Sequence, residues 1–128
     1  MTIPSRVPRG ALSDFVDDLQ AGGRLTFTRE EAMATLGVSA GALKQAALRL
    51  SQRDRLVAPR RGFFVIIPLE FRTRGAPPPE RWVPELVRFL GARDQATEQI
   101  GDEVLVTVDR PLRPARCGPY EVKFRVQR

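Results

Sequence analysis

The chain has 128 residues, a net charge of +6, one cysteine and no histidine. That length suits one domain, or two small ones sharing an interface, with enough buried surface to need no covalent staple. A lone Cys117 excludes an internal disulfide, and without histidine the usual zinc ligand sets and both Ser-His-Asp and Cys-His catalysis are excluded.

Leu12, Phe15, Val16 and Leu19 recur at i, i+3, i+4 and i+7, predicting an amphipathic helix capped at Ser13 or earlier and ended by Gly22-Gly23. Leu25, Thr26 and Phe27 suit a short strand. Thr28-Arg29-Glu30-Glu31 has the form of a capping box and opens a second helix with Ala32, Met33 and Leu36 inward, stopping at Gly37. Ser39 is then a good N-cap for a third helix running to about Arg53, with Leu43, Ala46, Ala47 and Leu50 inward. Gly41, Gln45, Leu48, Arg49 and Gln52 point outward, with Lys44 on the flank. Leu48 does not suit a wet face and is expected to pack under the hairpin that follows.

That hairpin is read from Leu56-Val57-Ala58 and Phe63 to Ile67 around Pro59-Arg60-Arg61-Gly62, with Gly62 supplying a positive φ. Leu69 to Pro79 has the charge and proline content of a linker. Glu80 to Leu90 reads as a helix with Trp82 and Phe89 in the core and Pro84 tolerable only in the first turn. Residues 91–103 are polar and weakly patterned. Val104 to Val108 and Tyr120 to Val126 alternate with period two, predicting two strands joined by a long, proline-containing connection. The expected architecture is therefore α+β: a winged helix-turn-helix over 10–68, a proline-rich connector over 69–79, and an abbreviated C-terminal unit over 80–128 made of a helix and an antiparallel β-hairpin.

Charge is unevenly placed. Residues 44–61 carry Lys44, Arg49, Arg53, Arg55, Arg60 and Arg61 against a single acid, Asp54. A basic window on a helix-turn-helix is what phosphate tracking requires, although basic runs also serve simply as solvated surface. The turn spacing points the same way: Gly37 permits a sharp turn, and Leu43 locks the second helix across the first, leaving its N-terminal turns free for a major groove. Ser39, Lys44, Gln45, Arg49, Arg53, Arg60 and Arg61 form the candidate DNA-binding set. Ser39 is first a cap and secondarily a phosphate contact. Gln45 is a candidate adenine reader and Lys44 a candidate guanine or phosphate contact. Arg60 and Arg61 would reach phosphate or minor groove from the hairpin tip. Helix pairs of this kind also dock proteins, so a protein-interaction module using the hairpin and C-terminal sheet is the alternative.

Paired carboxylates occur at Asp14, Asp17 and Asp18 and at Glu30 and Glu31, in first turns where acids complement the helix dipole anyway. No phosphate-cradling glycine loop accompanies them, so no enzymatic activity is expected, and no cofactor or metal. No apolar run approaches the roughly 18 residues of a membrane span, and Met1 to Gly10 lacks the apolar core of a signal peptide, so a cytoplasmic location is expected.

Leu25 to Ile67, with Gly37-Val38-Ser39 and Arg60-Arg61-Gly62-Phe63-Phe64-Val65-Ile66, resembles the winged-helix domain of the AbiEi-type antitoxins. The likeness continues through Gly75-Ala76-Pro77-Pro78-Pro79-Glu80, Leu86 to Gly91 and Val108-Asp109-Arg110-Pro111-Leu112-Arg113. It implies an antitoxin of a type IV toxin–antitoxin, abortive-infection system that represses its own operon at inverted repeats in promoter DNA. It also implies a functional link to a nucleotidyltransferase-like toxin, counteracted by the C-terminal domain without a stable complex. The chain departs from the family after Gly91, where 92–103 replace a longer stretch bearing Ser-Ala-Ala and Leu-His-Gly.

Overall fold

A computed structural model describes residues 8–127. It is a mixed α+β chain of four α-helices and two sheets among the described residues. The first helix, α1 (Ala11–Ala21), begins at Gly10, the earlier of the expected start positions, whose φ of 80° suits only glycine comfortably, and it turns Leu12 and Val16 fully inward. Strand β1 (Thr26–Thr28) leads directly into α2 (Arg29–Leu36). There the expected capping box is formed: the Glu31 amide donates to Thr28 Oγ1 at 3.1 Å, and the Thr28 amide donates to Glu31 Oε1 at 3.1 Å. Gly37 ends α2 with φ 65°, and Ser39 caps α3 (Ala40–Gln52) by accepting from the Ala42 amide at 3.2 Å. Ala42, Leu43, Ala46, Ala47 and Leu50 are buried, the small alanines allowing α3 to approach its neighbours closely.

Strands β2 (Leu56–Arg60) and β3 (Phe63–Ile66) turn at Arg61-Gly62 and pair with β1 in the antiparallel order β1-β3-β2. The alternation along β3 divides its side chains between two cores. Phe64 and Ile66 pack with the helices; Phe63 and Val65 pack with the C-terminal half. One strand thus serves as a wall of both cores.

The segment read as a linker is packed rather than bare. Ala76, Pro77 and Pro79 are buried, and Trp82, itself fully buried, donates from Nε1 to the Pro77 carbonyl at 2.9 Å. Gly75 and Gly118 cross here so closely that a Cβ on Gly118 would sit 2.5 Å from the Gly75 carbonyl oxygen. A 3-10 turn at Pro79–Arg81 delays α4 to Val83–Phe89, which places Pro84 in the first turn where it costs no hydrogen bond. Phe89 is not core: it is 36 % exposed, its ring 5.3 Å from that of Phe63.

The C-terminal expectation needs a larger correction. The two period-two runs, β5 (Glu103–Val108) and β7 (Tyr120–Val126), are neighbours but parallel, with Val104 opposite Val122. The proline-containing connection carries the chain across to an outer strand, β6 (Ala115–Cys117), from which Gly118-Pro119 turns back into β7. A further strand, β4 (Asp94–Ile100), pairs antiparallel with β5, giving the order β4-β5-β7-β6. Its seven residues are all exposed, so the region expected to lack pattern is a strand held by pairing alone.

Candidate nucleic-acid interface

The third helix presents two chemically distinct faces. Opposite its buried stripe, Gly41, Lys44, Gln45, Leu48, Arg49, Gln52 and Arg53 are all exposed. Lys44, Arg49 and Arg53 occur in none of the ion pairs among the described residues, so their charges face solvent uncompensated. Ser39 uses its hydroxyl in the cap, which fixes the start of α3 and leaves the next turns outward. Leu48 does not tuck under the hairpin; it is 52 % exposed and joins neither core.

An open groove of about 750 Å³ runs between the start of α1 and the flank of α3. Arg9, Ser13, Gln45, Arg49 and Arg53 contribute its polar lining, over a floor that includes Ala42, Ala46 and Leu50. Arg9 was not among the sequence candidates, because only the packing of α1 against α3 brings it beside Arg49 and Arg53. Its sole sequence signal is a basic residue just before a helix start. The groove is open to solvent and cationic, lined by Arg9, Arg49 and Arg53 with no acidic residue.

Two arginines of the basic window are used inside the fold. Arg55 donates from Nη1 to Ser13 Oγ at 2.6 Å and from Nη2 to Asp17 Oδ1 at 2.5 Å, tying α1 to the end of α3. Arg60, expected at a hairpin tip reaching outward, instead donates to the carbonyls of Pro114 (2.9 Å) and Arg113. Partial burial, and secondarily the Arg113 cation, hold its pKa below the ordinary guanidinium value. Burial of these groups against the C-terminal connection explains the difference: Arg60 is half-buried and clasps the two halves together, whereas Arg61 beside it stays exposed. The structure therefore brings Lys44, Gln45, Arg49 and Arg53 together on α3, adds Arg9, leaves Arg61 outward at the turn, and withdraws Arg60.

Of the α1 acids only Asp14 lies in a first turn, and the acids with partners among the described residues are Asp17, Glu30 and Glu31. Glu31 completes the capping box and accepts from Arg24, and that hydrogen bond, with the Thr28 amide, holds its carboxyl below the usual range. Asp17 accepts from Arg55. Cys117 is fully buried and its thiol is pushed up to about 12 by desolvation. Among the described residues no group of three potential ligands from His, Cys, Asp and Glu could hold a metal ion, and no helix is long and apolar enough to cross a membrane. Comparison of the chain with protein-family models, with curated proteins and with solved structures gave no match.

Proposed function

We propose that this protein binds double-stranded DNA, with α2 and α3 acting as a helix-turn-helix and β2–β3 as its wing. The observation that carries the reading is the outward face of α3, where Lys44, Arg49 and Arg53 are unpaired around Gln45, with Arg9 extending the same cationic groove. Uncompensated cations in an open groove suit polyphosphate backbone, and an exposed glutamine between them suits a base edge. Phosphate contacts come from Arg9, Arg49, Arg53 and Arg61, and base contacts from Lys44 and Gln45. The wing contributes less charge than its sequence suggests, since Arg60 is held by the C-terminal connection.

On this reading the protein is a non-enzymatic, cytoplasmic transcriptional regulator of AbiEi antitoxin type, acting on inverted repeats in its own promoter. Its functional counterpart would be a nucleotidyltransferase-like toxin. A second reading, docking of a protein partner, is favoured by one feature: β4 is an edge strand whose residues are all exposed. Titration of the full chain against DNA from upstream of its own gene across a salt series separates the two. The DNA reading expects affinity that falls steeply with salt; no detectable binding at low salt sinks it.

A further inference from the structure

Leu48 is the one apolar side chain on the outward face of α3, and neither phosphate contact nor polar base reading employs it. On a helix turning about 100° per residue, it lies within roughly 40° of Lys44 and Gln52 and roughly 60° of Gln45, at the centre of the face. It is 52 % exposed and has no place in either core. A single exposed leucine is ordinary on a protein surface. The setting of this one is not, because every other side chain around it on the face is polar or cationic or, at Gly41, absent. The other large exposed apolar residues, Leu69, Phe89, Ile100 and Val126, lie outside α3.

From Gly41 to Leu48 the helix rises about 10 Å, which fits within a major groove about 12 Å wide. Gly41 has nothing within 4 Å of the position a Cβ would take, so the approach to Leu48 along this face is open. The apolar feature a major groove offers is the C5-methyl of thymine. We infer that Leu48 is a base-reading contact that seats against a thymine methyl and gives the protein a preference for an A·T pair there. The inference rests on the DNA-binding reading and adds a specificity determinant to it. Removing one methyl from such a contact should weaken binding about fourfold, the worth of one buried methyl-sized group.

The experiment begins by enriching duplexes from a random-sequence pool on the full chain at moderate salt. Each thymine of the enriched duplex is then replaced singly by deoxyuridine, which removes only the methyl, and binding is measured for the wild type and Leu48→Ala. Alanine at an exposed helical position keeps or improves helix propensity, so the variant should stay folded. The expected result is one or two positions at which uracil weakens the wild type about fourfold and leaves Leu48→Ala unaffected. Tolerance of uracil at every position, equal sensitivity in both proteins, or an enriched sequence without thymine overturns the role of Leu48 while leaving DNA binding intact. Failure to enrich any duplex overturns the DNA reading itself, and Leu48 with it.

Discussion

Replacing Arg49 and Arg53 together by glutamine should flatten the salt dependence of DNA binding, whereas Arg60→Gln should not. Arg9, Arg49, Arg53 and Arg61, the phosphate-contact set, are exposed and unpaired among the described residues, four cations able to displace counterions. At about 0.9 per phosphate contact the slope of log affinity against log salt is about −3.6, or about a 150-fold loss between 50 and 200 mM. With two contacts gone the slope falls to about −1.8 and the loss to about 12-fold over the same interval. Arg60 donates instead to the carbonyls of Pro114 and Arg113, so its neutralisation should leave the slope unchanged and cost about 0.5–1.5 kcal/mol of stability, the net worth of hydrogen bonds at an exposed site. Fluorescence anisotropy with a labelled promoter duplex at five salt concentrations, beside urea unfolding of each variant, measures both quantities. A double variant with the wild-type slope, or an Arg60→Gln slope as flat as the double variant's, refutes this division of labour.

Gly41→Ala should raise stability by about 0.5–1 kcal/mol in urea unfolding, since nothing lies within 4 Å of the added methyl and alanine is the better helix former. Gly118→Ala should do the opposite. Its φ of 57° strains any side chain and the Cβ would meet the Gly75 carbonyl, so a loss of about 2–4 kcal/mol is expected, read as a lowered thermal midpoint. Cys117 should resist a thiol reagent in the folded protein and react stoichiometrically in denaturant, because burial keeps it protonated and out of reach. Glu31 has a folded pKa below its unfolded value, so its contribution is present above about pH 4.5 and lost as pH falls through the folded pKa. Accordingly Glu31→Gln should be less stable than the wild type at neutral pH, with the gap closing in acid.

Much of the helical half was legible because its signals are local. Thr28 and Glu31, three residues apart, are enough to specify a capping box, and Gly37 and Ser39 mark the turn whichever way the rest of the chain packs. The inward face of α3 likewise follows from spacing alone. The misses share a different cause. β4 has no apolar alternation to betray it, since both its faces meet water and only backbone pairing to β5 defines it. The parallel relation of β5 and β7 depends on β6, three residues too short to stand out in a proline-containing stretch. Arg60 and Arg61 are indistinguishable in sequence, and only the approach of the 113–114 carbonyls separates them. Arg9 and Leu48 were hard to place for the same reason: a side chain's neighbours across space are not written beside it.

The shared strand has a genetic consequence. Because β3 turns Phe63 and Val65 toward Trp82 and the valines of the C-terminal sheet, the helical half does not own a complete floor. A fragment ending near residue 68 would bare those two side chains and should aggregate or unfold, so the helical half is not a cassette that can be transplanted by itself. A screen for lost operator binding should therefore return substitutions at Trp82, Leu86 and Val122 alongside those at Arg49 and Arg53. The first group would disable the protein by collapsing the wall behind the hairpin, with every residue of the proposed DNA face still in the gene.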